Sequence, residues 1–136
     1  MATTGKFEVF TDAWNALKPD EIVLHSSSDL YELKVQENIG NAGKSWSKLE
    51  LSLPKIQKLT VFDVKDLPSV AFVTFSDSHT ARFAPVSGKL TAWIAAGSAA
   101  LNGVLQMEMK PTADSEIKWP EQLSVTALFS LSHEHV

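Results

Sequence analysis

The sequence predicts an all-β fold, an antiparallel β-sandwich of jelly-roll type. Three observations carry that expectation. Apolar residues recur at every second position in one segment after another, the period of a half-buried strand. Turn-forming clusters punctuate these segments at short intervals, as in a sandwich or barrel rather than in βαβ units. Stretches with helical period are scarce.

The elements follow in chain order. Residues 7–10 and 21–25 read as short strands. In Leu30-Tyr-Glu-Leu-Lys-Val-Gln36, Tyr31, Leu33 and Val35 share one face, and Glu32, Lys34 and Gln36 share the other. Trp46-Ser-Lys-Leu-Glu-Leu-Ser-Leu53 places Leu49, Leu51 and Leu53 inward, and Pro54 ends it. Less regular strands are predicted over residues 58–64, 69–75 and 88–94. The run Val70-Ala-Phe-Val-Thr-Phe75 is apolar on both faces and reads as a central strand or one that faces a partner. Leu105-Gln-Met-Glu-Met109 alternates, with Met107 and Met109 on a face suited to a core or a contact surface. Leu123-Ser-Val-Thr-Ala-Leu-Phe-Ser-Leu131 is the clearest case: five apolar residues lie on one face and mainly hydroxyl-bearing ones on the other. Turn signals lie at Lys18-Pro-Asp20, Ile39-Gly-Asn-Ala-Gly43, Asp66-Leu-Pro68, Ser76-Asp-Ser78 and Pro111-Thr-Ala-Asp114. Residues 12–17 are expected to form one short helix, capped by Thr11 or Asp12 and stopped by Pro19. The small-residue stretch 95–101 reads as a tight loop or one helical turn.

With 136 residues, 44% hydrophobic and 21% charged, the chain has the make-up of a single β domain over residues 1–136. No cysteine is present, which excludes thiol catalysis, thiolate zinc sites and disulfides. No window approaches the roughly 18 consecutive apolar residues of a membrane span. The N-terminus lacks a basic start followed by an apolar run, so cytoplasmic synthesis is expected.

Charge is uneven. Residues 1–50 carry five lysines against eight acids, and residues 51–100 carry four lysines and one arginine against three acids. Arg82 is the sole arginine and the formal net charge is −4, which disfavours a sequence-specific reader of nucleic acid. Lys55, Lys58, Lys65, Arg82 and Lys89 are the candidates for a local basic strip, although scattered surface lysines explain them more simply.

Catalysis needs an acid–base or nucleophilic set drawn together in a cleft, and the chain offers four histidines, His25, His79, His133 and His135. Asp77-Ser-His79 reads as a polar turn, because triad members converge from separate elements. His133-Glu-His135 would put two imidazoles on one side of a strand, but no third ligand is signalled, and a frayed tail is the simpler reading. His25-Ser-Ser-Ser28 fits a strand end and a hydroxyl-rich turn. Gly40-Asn-Ala-Gly-Lys-Ser45 ends like a phosphate loop, but only two residues separate its glycines, so it reads as a hairpin loop. No catalytic set, metal site or cofactor is expected. Trp14, Trp46, Trp93 and Trp119 suit a core, a subunit interface or the lining of an apolar pocket.

From Trp46 onward, about two thirds of the chain resembles icosahedral plant-virus coat proteins of the tymovirus kind. The matching features are the strand ending at Pro54, Pro68-Ser-Val-Ala-Phe-Val-Thr-Phe75, the Gly-containing strand and small-residue loop over 87–100, Leu105-Gln-Met-Glu-Met-Lys-Pro111 and the hydroxyl-rich last strand. That resemblance implies a single jelly roll whose copies assemble into a shell, enclosing nucleic acid without sequence-specific reading and residing in a virion. A shorter stretch, Phe62-Asp-Val-Lys-Asp-Leu-Pro68 with Phe72 and Val86-Ser-Gly-Lys-Leu-Thr91, is similar to the polyisoprenoid-binding, lipocalin-like barrel family. It implies a cavity for a long apolar ligand, lined by Phe72 and Trp93. The expectation placed first is a structural, self-associating subunit of coat-like form, with Trp14, Trp93 and Trp119 as contact residues and its own copies as partners. The alternative is a β-barrel that binds lipid or another apolar small molecule. An enzyme stands third.

Overall fold

The computed structural model describes residues 3–39, 45–76 and 78–133, apart from the side chains of Ile39 and His133. These residues form nine strands: β1 (Thr3–Thr11), β2 (Glu21–Ser26), β3 (Leu30–Ile39), β4 (Ser45–Pro54), β5 (Thr60–Asp63), β6 (Ser69–Ser76), β7 (His79–Ile94), β8 (Leu101–Pro111) and β9 (Leu123–His133). They join one sheet in the order β1-β9-β8-β7-β6-β4-β3-β2, with β5 paired to β7. Every pairing is antiparallel. β6 lies along the first part of β7 and β5 along the last. Joined by a 3-10 turn at Val64–Asp66, β5 and β6 act as one interrupted strand.

The all-β expectation holds, and the jelly-roll topology does not. A jelly roll divides its strands between two sheets through Greek-key crossovers. Here, with β5 and β6 counted as one interrupted strand, each successive strand from β2 to β9 pairs with its neighbour in the chain, and β1 adds beside β9. Short turns close the hairpins β2–β3 and β7–β8, and even the long connections at 12–20 and 112–122 join strands that end and begin at the same end of the sheet.

The outermost strands, β1 and β2, curl toward each other, so the sheet is nearly closed into a barrel. Their seam is bridged by side chain and loop. The Leu24 N–H donates to Thr3 Oγ1 at 2.9 Å, and the Leu17 N–H donates to the Val9 carbonyl at 3.0 Å. Thr3→Val removes the acceptor and leaves the Leu24 amide without it. The expected result is a loss of about 1 kcal/mol in denaturant unfolding and faster hydrogen exchange at Leu24. Unchanged exchange there would mean that the seam is held elsewhere.

Eight strand positions enclose an interior just wide enough for side chains to fill. Leucines dominate it: Leu49, Leu53, Leu90, Leu105, Leu123 and Leu131 are fully buried, with Phe83 and Met109. Met107 and Met109 therefore belong to the core. The inward face of the last strand is the one its alternation predicts, Leu123, Val125, Ala127, Phe129 and Leu131. Gly103 is required by packing. A Cβ there would lie 2.2 Å from the Phe129 ring, which crosses that position to meet Phe7 at 5.2 Å between centroids.

Two local expectations need correction. Residues 12–17 are not helical. The Thr11 hydroxyl accepts the Trp14 N–H at 3.0 Å, and the Leu17 N–H is taken by β1, so no helical turn closes. β7 is 16 residues long where 88–94 is predicted. Pro85 and Gly88 read as breakers, but a register shift between Pro85 and Ser87 absorbs the proline. Gly88, at φ +144°, lies so close to β8 that a Cβ would sit 2.3 Å from the Gln106 carbonyl. The stretch after β7 is a tight loop, closed by the Ala95 N–H to the Ala100 carbonyl at 2.9 Å.

Candidate functional site

Strands β1, β3, β6 and β8 finish at one end of the barrel, and two irregular segments cover that end. Residues 12–20 form a strap. Its start is tied to β9 by the Asp12 N–H to the Ser124 carbonyl and by the Ser124 N–H to Asp12 Oδ1 at 3.0 Å. Its end is tied to β3 by the Asp20 N–H to the Gln36 carbonyl and by the Asn38 N–H to Asp20 Oδ2 at 2.6 Å. Residues 112–122 dock on the start of β7. There the buried Ser115 hydroxyl accepts the Arg82 N–H at 2.9 Å and donates to the Ile117 carbonyl at 2.6 Å.

The two segments bring aromatic rings together. Trp14 stacks on Phe72 at 6.1 Å between centroids, meets Phe83 edge-on at 6.0 Å and meets Trp119 edge-on at 6.2 Å. Phe72 and Phe83 belong to the buried core, whereas Trp14 keeps 37% of its surface exposed and Trp119 62%. Between Trp14 and the inner faces of β3, β4 and β6 lies a cavity of about 450 Å³. That volume falls in the range of small-molecule sites, roughly 300–1,000 Å³.

Strand register explains the lining. The row Val35, Leu49, Phe72 and Phe83 is continuous across β3, β4, β6 and β7, and it is buried and apolar. One step nearer the mouth the aligned row is Glu37, Ser47, Thr74 and Ala81. One step further, Ser45 faces Ser76. The inward face thus changes from hydrocarbon to hydroxyl and carboxylate at one level on three adjacent strands. Glu37, Ser45, Ser47, Thr74 and Ser76 all line the cavity, with Lys18 and Asn15 contributed by the strap. Phe72 forms the apolar floor.

The residues singled out from the sequence are dispersed. Trp14 and Trp119 meet at the mouth. Trp93 is paired in register with Asn102 toward the opposite end of the barrel, away from both. Of the five basic residues, Lys55 and Lys58 follow β4, Lys65 is in the 3-10 turn, and Arg82 and Lys89 are on β7. Lys55 bonds the Ser26 hydroxyl and lies 4.2 Å from the Tyr31 ring centroid. Lys89 pairs with Asp63 at 3.7 Å. Lys58 and Lys65 are exposed on the β4–β5 connection and the 3-10 turn, and Arg82 is exposed on β7 beside the docked segment.

The Asp63 carboxyl is held below its usual 3.8, first by the Lys65 backbone N–H and then by Lys89. The Thr112 hydroxyl does the same for Asp114. Lowered folded-state values stabilise the fold above the unfolded value, and that contribution is lost as pH falls through the folded one.

His79 Nδ1 lies 3.5 Å from Glu116, and both side chains are largely exposed. His25 is exposed on β2, opposite Glu32. Residues 40–44, Asp77 and His135 lie outside the described residues, as does the His133 side chain, so the phosphate-loop-like segment and the terminal histidine pair have no structural reading. Among the described residues no group of three or more His, Asp and Glu gathers in metal-binding geometry. Nor is any helix among them long and apolar enough to cross a membrane.

Comparison of the chain with protein-family models, with curated proteins and with solved structures yields no match.

The cavity itself was missed by sequence reasoning, yet a signal exists. Extending the Leu33, Val35 alternation one step reaches Glu37, and extending Leu49 backward reaches Ser47 and Ser45. Polar residues in the inward phase of three strands mark the place where the core stops.

Proposed function

We propose that this protein is a small-molecule-binding β-barrel, a binding module rather than an enzyme, whose site is the cavity under Trp14. The observation that carries the reading is the aligned change of the inward face at Glu37, Ser47 and Thr74, directly above the Phe72 floor and beneath a tryptophan strapped at both ends. Such a site gives a ligand an apolar body contact and a small set of polar groups that fix its orientation. Strap anchoring at Asp12, Leu17 and Asp20 orders the wall before a ligand arrives, which lowers the cost of binding. The packed leucine interior leaves the ligand at the mouth rather than along the barrel axis. A compact ligand therefore fits better than a long polyisoprenoid chain. Among the described residues the lining contributes no histidine, and its ionisable side chains are Glu37 and Lys18, a set better suited to recognition than to proton transfer.

The test is titration with N-phenyl-1-naphthylamine, a neutral apolar fluorophore. Saturable enhancement at one probe per chain is expected. Absence of saturable binding contradicts the reading.

Assembly of copies into a coat-like shell is the second proposal. Exposed Trp119 at the mouth, and exposed Leu59 and Val61 at β5, at 62%, 60% and 57%, favour it as large apolar side chains that a partner copy could cover. Light scattering coupled to size-exclusion chromatography decides between the two. Particles of many subunits support the shell, and a monomer or dimer supports the binding barrel.

A further inference from the structure

Resting on the cavity as the ligand site, we propose that the ligand it selects is an organic cation, an amine or ammonium group on a compact apolar or aromatic body. Glu37 carries the inference. It follows Leu33 and Val35 in the inward phase of β3 and lines the cavity. In the polar inward row of Glu37, Ser47 and Thr74 it is the charged member, and so it sets the sign of charge that this wall presents.

Its surroundings favour a positive guest. The aligned Ser47 and Thr74 offer hydroxyl acceptors for N–H groups, and the partly exposed Trp14 indole in the lining is a ring of the kind that attracts cations. Among the described residues, no cation forms an ion pair with Glu37 within 4 Å. Among the described residues the opposing charge in the lining is Lys18, which is exposed on the strap and has a long stem that lets its ammonium stay in water. Glu37 is half-buried on a strand fixed in register, so its charge stays at the cavity wall.

Three probes share one body and differ in charge: 3-phenylpropylamine, 3-phenylpropan-1-ol and 3-phenylpropanoate. Binding is read by tryptophan fluorescence excited at 295 nm, where the phenyl group is silent. The amine is expected to bind about tenfold tighter than the alcohol, as a charge-assisted hydrogen bond supplies, and the carboxylate weakest. Glu37→Gln is expected to abolish the preference, so that amine and alcohol bind the variant with equal affinity. Because Glu37 is half-buried and outside the apolar core, thermal unfolding of the variant is expected to match the parent. Equal affinities of the three probes, preference for the carboxylate, or an amine preference that survives Glu37→Gln overturns cation selection but keeps the site. If none of the three binds, the site and the inference fail together.

Discussion

Phe83→Ala is expected to destabilise the fold by about 3–5 kcal/mol, because a fully buried ring is replaced by a cavity that the rigid barrel wall cannot collapse to fill. The loss is a large part of the total stability of an ordinary domain, about 5–15 kcal/mol. Phe83 touches Trp14 edge-on and Phe72 at 6.3 Å, so its removal also takes away support from the cavity floor. A thermal midpoint lower by about 10–20 °C is the expected readout. Phe10→Ala provides the contrast. That ring lies on the outer face of β1 with 42% of its surface exposed, and its loss should cost under about 1 kcal/mol. If the two variants unfold at the same temperature, the inward and outward faces of the barrel have been assigned wrongly.

Trp14→Ala is expected to reduce binding of N-phenyl-1-naphthylamine at least about tenfold, while costing much less stability than Phe83→Ala. The difference follows from position. Trp14 is partly exposed on a strap whose anchors are Asp12, Leu17 and Asp20, none of which depends on the indole. What the indole supplies is the wall facing Phe72, and loss of a large aromatic contact in a small site removes a leading share of its affinity. Trp93→Ala is the control, since Trp93 stands toward the other end of the barrel. Equal losses from the two substitutions would place the bound probe somewhere other than the mouth.

Much of the architecture is legible in the chain itself, for a physical reason. An antiparallel sheet with one buried face imposes a period of two, and Leu123–Leu131 shows that period without interruption. What eludes such reading is long-range. The pairing of β1 with β9 joins Phe7 to Phe129, and no local pattern encodes a contact across that separation. That pairing, with the Thr3 bridge to Leu24, turns a sheet into a near-closed barrel and removes the second sheet that a jelly roll requires. The full length of β7 is hidden in the sequence because Pro85 and Gly88 are breakers in isolation, and the chain passes through them as strand only with β8 alongside. The composition of the strap permits a helix, and tertiary hydrogen bonds at Trp14 and Leu17 outweigh that weak preference.

The site was half visible. Trp14 and Trp119 were singled out as aromatic contact residues, and the structure brings them together at the mouth. Trp93 was grouped with them on residue type alone, and it stands apart. Glu37 drew no notice because a glutamate near a turn is ordinary in sequence. Its meaning appears only when strand register places it beside Ser47 and Thr74 under the Trp14 ring.

The most direct test of ligand binding at the mouth is a two-dimensional 1H–15N NMR titration of the protein with 3-phenylpropan-1-ol, read at the four tryptophan indole N–H signals. The expected result is a saturable shift of the Trp14 signal, together with the backbone amides of Ser47 and Thr74, while the Trp93 signal stays fixed. A Trp14 signal that does not move at saturating probe, or shifts concentrated around Trp93, would contradict it.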